Sequence, residues 1–94
     1  MTGLMLRDFA RALNEVAKVS TYGCIKYGSP SGWQTVANGL NRYNDALGRH
    51  LLASSISEED EESGLLHKAH LAWNALATLE LELMRLEQDN SEGC

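Results

Sequence analysis

Between Leu4 and Val19 the apolar side chains Leu6, Phe9, Ala10, Leu13, Val16 and Ala17 recur at steps of three and four. Arg7, Asp8, Arg11, Asn14, Glu15 and Lys18 fill the other face. That period predicts an amphipathic helix. Three glycines and the only proline then fall between Ser20 and Gly32, where the chain is expected to leave helix and run as a loop carrying Tyr22, Cys24, Lys26 and Tyr27. Ser31 followed by Gln34 fits a capping box and predicts a short helix restarting near Gly32. Asn38-Gly39 predicts a break through a left-handed glycine, with Asn41 capping a main helix from about Asn41 to about Ala53. Tyr43, Leu47 and Leu51 form the apolar stripe of that helix. Ser54 to Glu62 is rich in serine and acid and reads as a solvated loop.

The last predicted helix runs from about Ser63 to about Gln88, free of glycine and proline after Gly64. Leu65, Leu66, Ala69, Leu76, Leu79, Leu83 and Leu86 supply a broad apolar face. No stretch alternates as a strand does. The expectation is one all-α domain over residues 1–94, a small helical hairpin or bundle with a long C-terminal helix, frayed at residues 1–4 and 89–94. At 1.5 Å per residue the last helix spans roughly 37 Å, more than the preceding helices can cover, so a homo-oligomer, at least a dimer, is expected.

Composition narrows the partners. The 94 residues carry a formal charge of −5 with no block of basic residues, which argues against a nucleic-acid polymer or an anionic membrane as partner and leaves small anions possible. No apolar run reaches the roughly 18 to 20 residues of a membrane span. Cys24 and Cys94 lack CxxC spacing, and no secretory pattern opens the chain, so a reduced, cytoplasmic protein is expected.

The stretch from Asp60 to Trp73 gathers acids, a turn glycine, two histidines and a tryptophan at a turn-to-helix junction. Helical spacing puts His67, His70 and Asn74 on one face. Arg42, Asp45 and Arg49 share a face of the main helix. They suit either an intrahelical ion-pair ladder or, with Lys26, a grip on phosphate oxygens, which arginine's planar fork matches. His50, His67 and His70 can serve as metal ligands, anion contacts or packing groups. Asp60, Glu61 and Glu62 can hold an oxygen-ligated Mg²⁺. Tyr27 and Trp33 are candidates to stack on a base, whereas Trp73 lies on an apolar face and is expected to pack. No glycine-rich phosphate loop or nucleophile elbow is present.

The series Lys26-Tyr27-Gly28, Trp33, Arg42-Tyr43, Asp45-Ala46, Arg49-His50-Leu51, Glu62-Ser63-Gly64-Leu65, His67, His70 and Ala72-Trp73-Asn74 resembles the phage-borne N-terminal domain of dATP/dGTP diphosphohydrolases over about Leu13 to Glu82. The resemblance implies a phage or prophage protein of the host bacterial cytoplasm that releases pyrophosphate from purine deoxynucleotides with a divalent metal. On that reading Lys26, Arg42 and Arg49 hold the triphosphate, with Tyr27, Trp33, Asp45, His50 and Asn74 around the nucleotide. Asp60 and Glu62 hold Mg²⁺, and His67, His70 and Glu62 act at the reacting atoms. The alternative is an oligomeric protein that uses the same residues to sequester a nucleotide or cyclic nucleotide signal without cleaving it.

Overall fold

The computed structural model describes residues 1–92 and is helical throughout, in the order α1 (Thr2–Asp8), α2 (Ala10–Tyr27), a 3-10 turn (Gly32–Thr35), α3 (Gly39–Ser54) and α4 (His67–Glu92). The all-α expectation holds. Among the described residues the only extended pairing is an isolated bridge between Glu59 and Leu66.

The first predicted helix is present but bent. Phe9 departs to φ −116° and ψ 24° between α1 and α2. The ladder bridges the bend, since the Phe9 N–H donates to the Met5 carbonyl and the Leu13 N–H to that of Phe9. Met1 precedes α1, so Thr2 to Leu4 are helical rather than frayed.

The larger correction concerns the expected loop after Ser20. Helix continues through Gly23 to Tyr27 and stops at Gly28, whose φ of 80° is the left-handed conformation that ends a helix cheaply only in glycine. Tyr22, Cys24, Lys26 and Tyr27 therefore sit on helix. The Ser31 capping box does not form; the chain makes one 3-10 turn without a side-chain cap. Gly32 is needed there for space, because a Cβ would lie 2.9 Å from the Tyr27 carbonyl oxygen.

At the next break the left-handed residue is Asn38, at φ 58°, rather than Gly39. Asn41 does not cap; its Nδ2 donates to Asn38 Oδ1 at 2.9 Å. The main helix starts two residues earlier than expected and ends at Ser54. The last helix begins at His67 rather than Ser63, because residues 55–66 form an ordered turn instead of a plain solvated loop. It then runs to Glu92, so residues 89–92 are helical, while Cys94 and the rest of the expected fraying lie outside the described residues.

Helices α3 and α4 pack along each other as an antiparallel hairpin, with His50 beside His67 and His70, Tyr43 beside Trp73, and Gly39 near Leu81. Helix α2 lies across α4 in the same sense, through Tyr22 to His70 and Ser20 to Trp73. The core is small. Val19, Tyr43, Ala69 and Ala77 are its buried apolar members. Trp33, Tyr43 and Trp73 close over it as three edge-to-face pairs with centroids 5.4 to 6.0 Å apart, within the favourable aromatic range. The Tyr43 hydroxyl donates to the Trp33 carbonyl at 2.6 Å and so pins the crossover between α2 and α3 to the hairpin.

Candidate functional site

The junction between α3 and α4 is organised by Asp60. Its Oδ2 accepts from the Ser63 N–H at 2.9 Å and the Ser63 hydroxyl at 2.8 Å. The Gly64 N–H closes the turn onto the Asp60 carbonyl with φ 74°. The Asp60 N–H donates to the Leu65 carbonyl, and the His67 N–H donates to that of Glu58, so two orphan donors of the loop and the α4 start are satisfied.

Ser63 fixes the state of His70. Its hydroxyl has one proton, which goes to Asp60, so the 2.7 Å contact with His70 must be an Nε2–H donating to Ser63 Oγ. The Leu65 N–H takes the second lone pair at 3.2 Å. His70 is buried, stacked on His50 with centroids 4.5 Å apart and met edge-on by Tyr22.

His50 in turn meets His67 Nδ1 to Nδ1 at 3.0 Å, and His67 Nε2 lies 3.4 Å from Ser57 Oγ. Asn74, also buried, donates from Nδ2 to the His70 carbonyl. Among the described residues no buried side-chain polar atom lacks a partner. So dense a satisfied polar cluster in so small a core is costly to build, and its arrangement points to a site.

The charges are set accordingly. Burial, then the neighbouring His70, pushes His50 down to about 4, so it is neutral near pH 7. Burial likewise lowers His70, although Asp60 opposes it. For Asp60 burial works upward, but the two bonds from Ser63 and the nearby imidazoles outweigh it and hold the carboxyl below its ordinary value. Tyr22 donates to Glu62 Oε1 at 2.7 Å, and that bond, with some burial, pushes the phenol up to about 12.

A cavity of about 150 Å³ opens between α2, α3 and the junction. Its rim carries the exposed Lys26, Arg42, Arg49 and Glu62; deeper lie His50, Asp60, His70 and Asn74, with Tyr22 and Tyr27 alongside. Among the described residues no salt bridge ties Arg42, Asp45 or Arg49, so the intrahelical ladder is not formed. Lys26 has only the Tyr27 ring, 5.8 Å from its Nζ.

The structure thus gathers nine of the twelve candidate residues around one cavity. Asp45 is exposed on α3, outside that lining. His67 lies behind His50. Trp33 faces the other way and lines a second, apolar groove of about 360 Å³ with Val16, Trp73, Leu76 and Leu83. Asp60 and Glu62, expected to share Mg²⁺, both border the cavity, but Glu62 is not in the one set of ligand atoms near enough to hold a single ion among the described residues; that set is His50, Asp60 and His67.

Ser63, which the sequence offers only within a motif, and Tyr22, which it offers only as a loop aromatic, both belong to the site. Asp60-x-x-Ser63-Gly64 has the composition of a side-chain-closed turn and was legible as one. Tyr22 was not, because its approach to Glu62 requires α2 to run on through Gly23.

Residues 2–91 match the family model described as dATP/dGTP diphosphohydrolase, N-terminal. Neither the curated proteins nor the solved structures yield a match.

Proposed function

The chain belongs to the dATP/dGTP diphosphohydrolase N-terminal family, and on that premise we propose that it binds the phosphate end of a purine deoxynucleoside triphosphate in the cavity between α2, α3 and the junction. The observation that carries this reading is the convergence of Lys26, Arg42 and Arg49, none in a salt bridge, on one cavity of a protein whose net charge is −5. Cations left unpaired in an acidic protein are the expected receptor for an anion. At about 150 Å³ the cavity is below the roughly 300 to 1,000 Å³ that engulfs a drug-sized ligand. It suits a phosphate chain, with sugar and base lying toward Tyr27 at the mouth.

The reaction implied by the family is attack of water on a nucleoside triphosphate, breaking the bond that releases diphosphate and leaving the monophosphate. In this chain Lys26, Arg42 and Arg49 orient the phosphates and offset the charge that develops on the leaving oxygens. His50, neutral near pH 7, adds no positive charge of its own to the cavity. Glu62, tethered through Oε1 to Tyr22, keeps its other oxygen for a water proton. His70 is held in one tautomer by Ser63 and Asp60, and His67 supports His50 from behind.

The reading extends to assembly. Leu76, Leu79, Leu83 and Leu86 are 51%, 55%, 50% and 44% exposed, and Met5, Leu6 and Phe9 are 50% exposed or more. The leucines follow the three-four spacing of a helix-pairing seam. A second copy of this chain is the occupant that fits: α1 and the start of α2 bring Arg7 and Arg11, whereas α4 carries Glu80 and Glu87, its Glu82 and Asp89 being bridged to Arg85.

The test is incubation of purified protein with dATP or dGTP and a divalent ion, with products separated by chromatography. Diphosphate and deoxynucleoside monophosphate in equal amounts are expected. Intact nucleotide under all metals tried, with tight binding retained, would replace the hydrolase with a binding protein.

A further inference from the structure

His50 comes from α3, Asp60 from the turn and His67 from the first residue of α4, and one ligand atom of each lies within 4.8 Å of the others. The two imidazoles face each other through Nδ1 at 3.0 Å, a gap that a hydrogen bond spans with a single proton. An ion bound tetrahedrally at 2.0 to 2.1 Å from each nitrogen requires about 3.3 Å between them, so the nitrogens need to part by only about 0.3 Å, with each ring turning to aim its lone pair at the ion.

The surroundings suit that conversion. A histidine that binds metal through Nδ1 must carry its proton on Nε2 and donate it, and Ser57 Oγ lies 3.4 Å from His67 Nε2 to receive it. Asp60 is oriented by two bonds from Ser63, both on Oδ2, which leaves Oδ1 for an ion. His70 stays out, because neither of its ring nitrogens belongs to that set of mutually close ligand atoms.

We propose that His50, His67 and Asp60 form a binding site for a divalent transition-metal ion of the Zn²⁺ class. Two neutral nitrogens and one carboxylate are a borderline donor set, unlike the oxygen-rich octahedron that Mg²⁺ demands. Three protein ligands leave a position open. His50 and Asp60 also line the cavity that Arg42 and Arg49 border, so an ion held by them would lie beside it. The proposal does not depend on the nucleotide reading.

It is tested on the full chain without nucleotide, by titration with Co²⁺ and then Zn²⁺, and by nitrogen NMR of the histidine rings. One equivalent of Co²⁺ should give the visible band of a four- or five-coordinate ion, displaced by Zn²⁺ and not by equimolar Mg²⁺. One of the facing Nδ1 atoms carries a proton before metal is added; on Zn²⁺ binding both His50 and His67 should become Nε2–H tautomers. His50→Gln and Asp60→Asn should each weaken binding by at least about tenfold, with metal-free helix content retained by circular dichroism. Glu62→Gln should bind as the wild type does. Absence of the band, unchanged ring nitrogens, or equal loss in Glu62→Gln and His50→Gln would overturn the site.

Discussion

In its first turns α4 buries polar groups: His67, His70 and Asn74 are 7%, 6% and 5% exposed, and each has a partner. Two turns later Leu79 and Leu83 keep half their surface in solvent. One helix therefore hides what water would welcome and shows what water rejects. The polar end contributes little net stability, since each internal hydrogen bond replaces one to water; on the proposed function its order serves to hold a ligand. The apolar end lacks a cover that this chain supplies.

The strongest perturbation falls on the apolar end. Leu79→Glu with Leu83→Glu removes the remaining burial of two leucines in each copy, on the order of 3 to 4 kcal/mol, or several hundredfold in the dissociation constant. Light scattering of the wild type should report more than one chain per particle, and of the variant one. A monodisperse wild-type monomer at micromolar concentration removes the second copy from the account.

At the polar end Arg49→Ala should weaken nucleotide binding by about 1.5 to 3 kcal/mol, the worth of a charge-assisted hydrogen bond, while leaving the fold intact because Arg49 is exposed and in no salt bridge. Unchanged affinity in calorimetry with a lowered melting temperature would make Arg49 structural.

The two ends also differ in their response to pH. Unfolded His50 takes up its proton near 6.5 and the folded residue only near about 4. Between those values the unfolded state binds more protons, so stability falls as pH falls through that window. His70 is lowered in the same direction and adds to it. Asp60, held below the carboxylate value of 3.8, gives up its contribution only at lower pH. Urea midpoints should therefore drop between about pH 6.5 and about pH 4, and His50→Gln should flatten the slope. A midpoint that does not move across that range contradicts the buried neutral imidazoles.

The smallest effect expected is that of Tyr22→Phe, which deletes the bond to Glu62 at an exposed position and should cost about 0.5 kcal/mol. A loss of several kcal/mol would mean that Tyr22 holds α2 to the junction.

Periodicity reveals most of the helices here, because apolar residues at three and four mark a buried face wherever the helix is amphipathic. Punctuation was less legible. Gly23 looks like a breaker, but a helix-internal glycine costs only about 1 kcal/mol, which the packing of Val19 and Tyr22 against the hairpin offsets. The glycine that ends the helix is Gly28, left-handed in its backbone and marked in sequence by Lys26 before it and Pro30 two residues after it. In the site, the histidine face of α4 and the arginine face of α3 follow from helical spacing. The pairing of His50 with His67 and the turning of Trp33 away from the cavity do not, since both depend on how α2 and α3 lie against α4. Asp45 matched the spacing of its arginines and still points to solvent, because an exposed carboxylate gains little by pairing.

The central claim, that the cavity of Lys26, Arg42 and Arg49 receives phosphates and leaves the base outside, is tested most directly by competition for bound dGTP. Diphosphate should displace the nucleotide, deoxyguanosine should not, and Arg42→Ala with Arg49→Ala should abolish the diphosphate effect. Displacement by deoxyguanosine, with diphosphate inert, would contradict it.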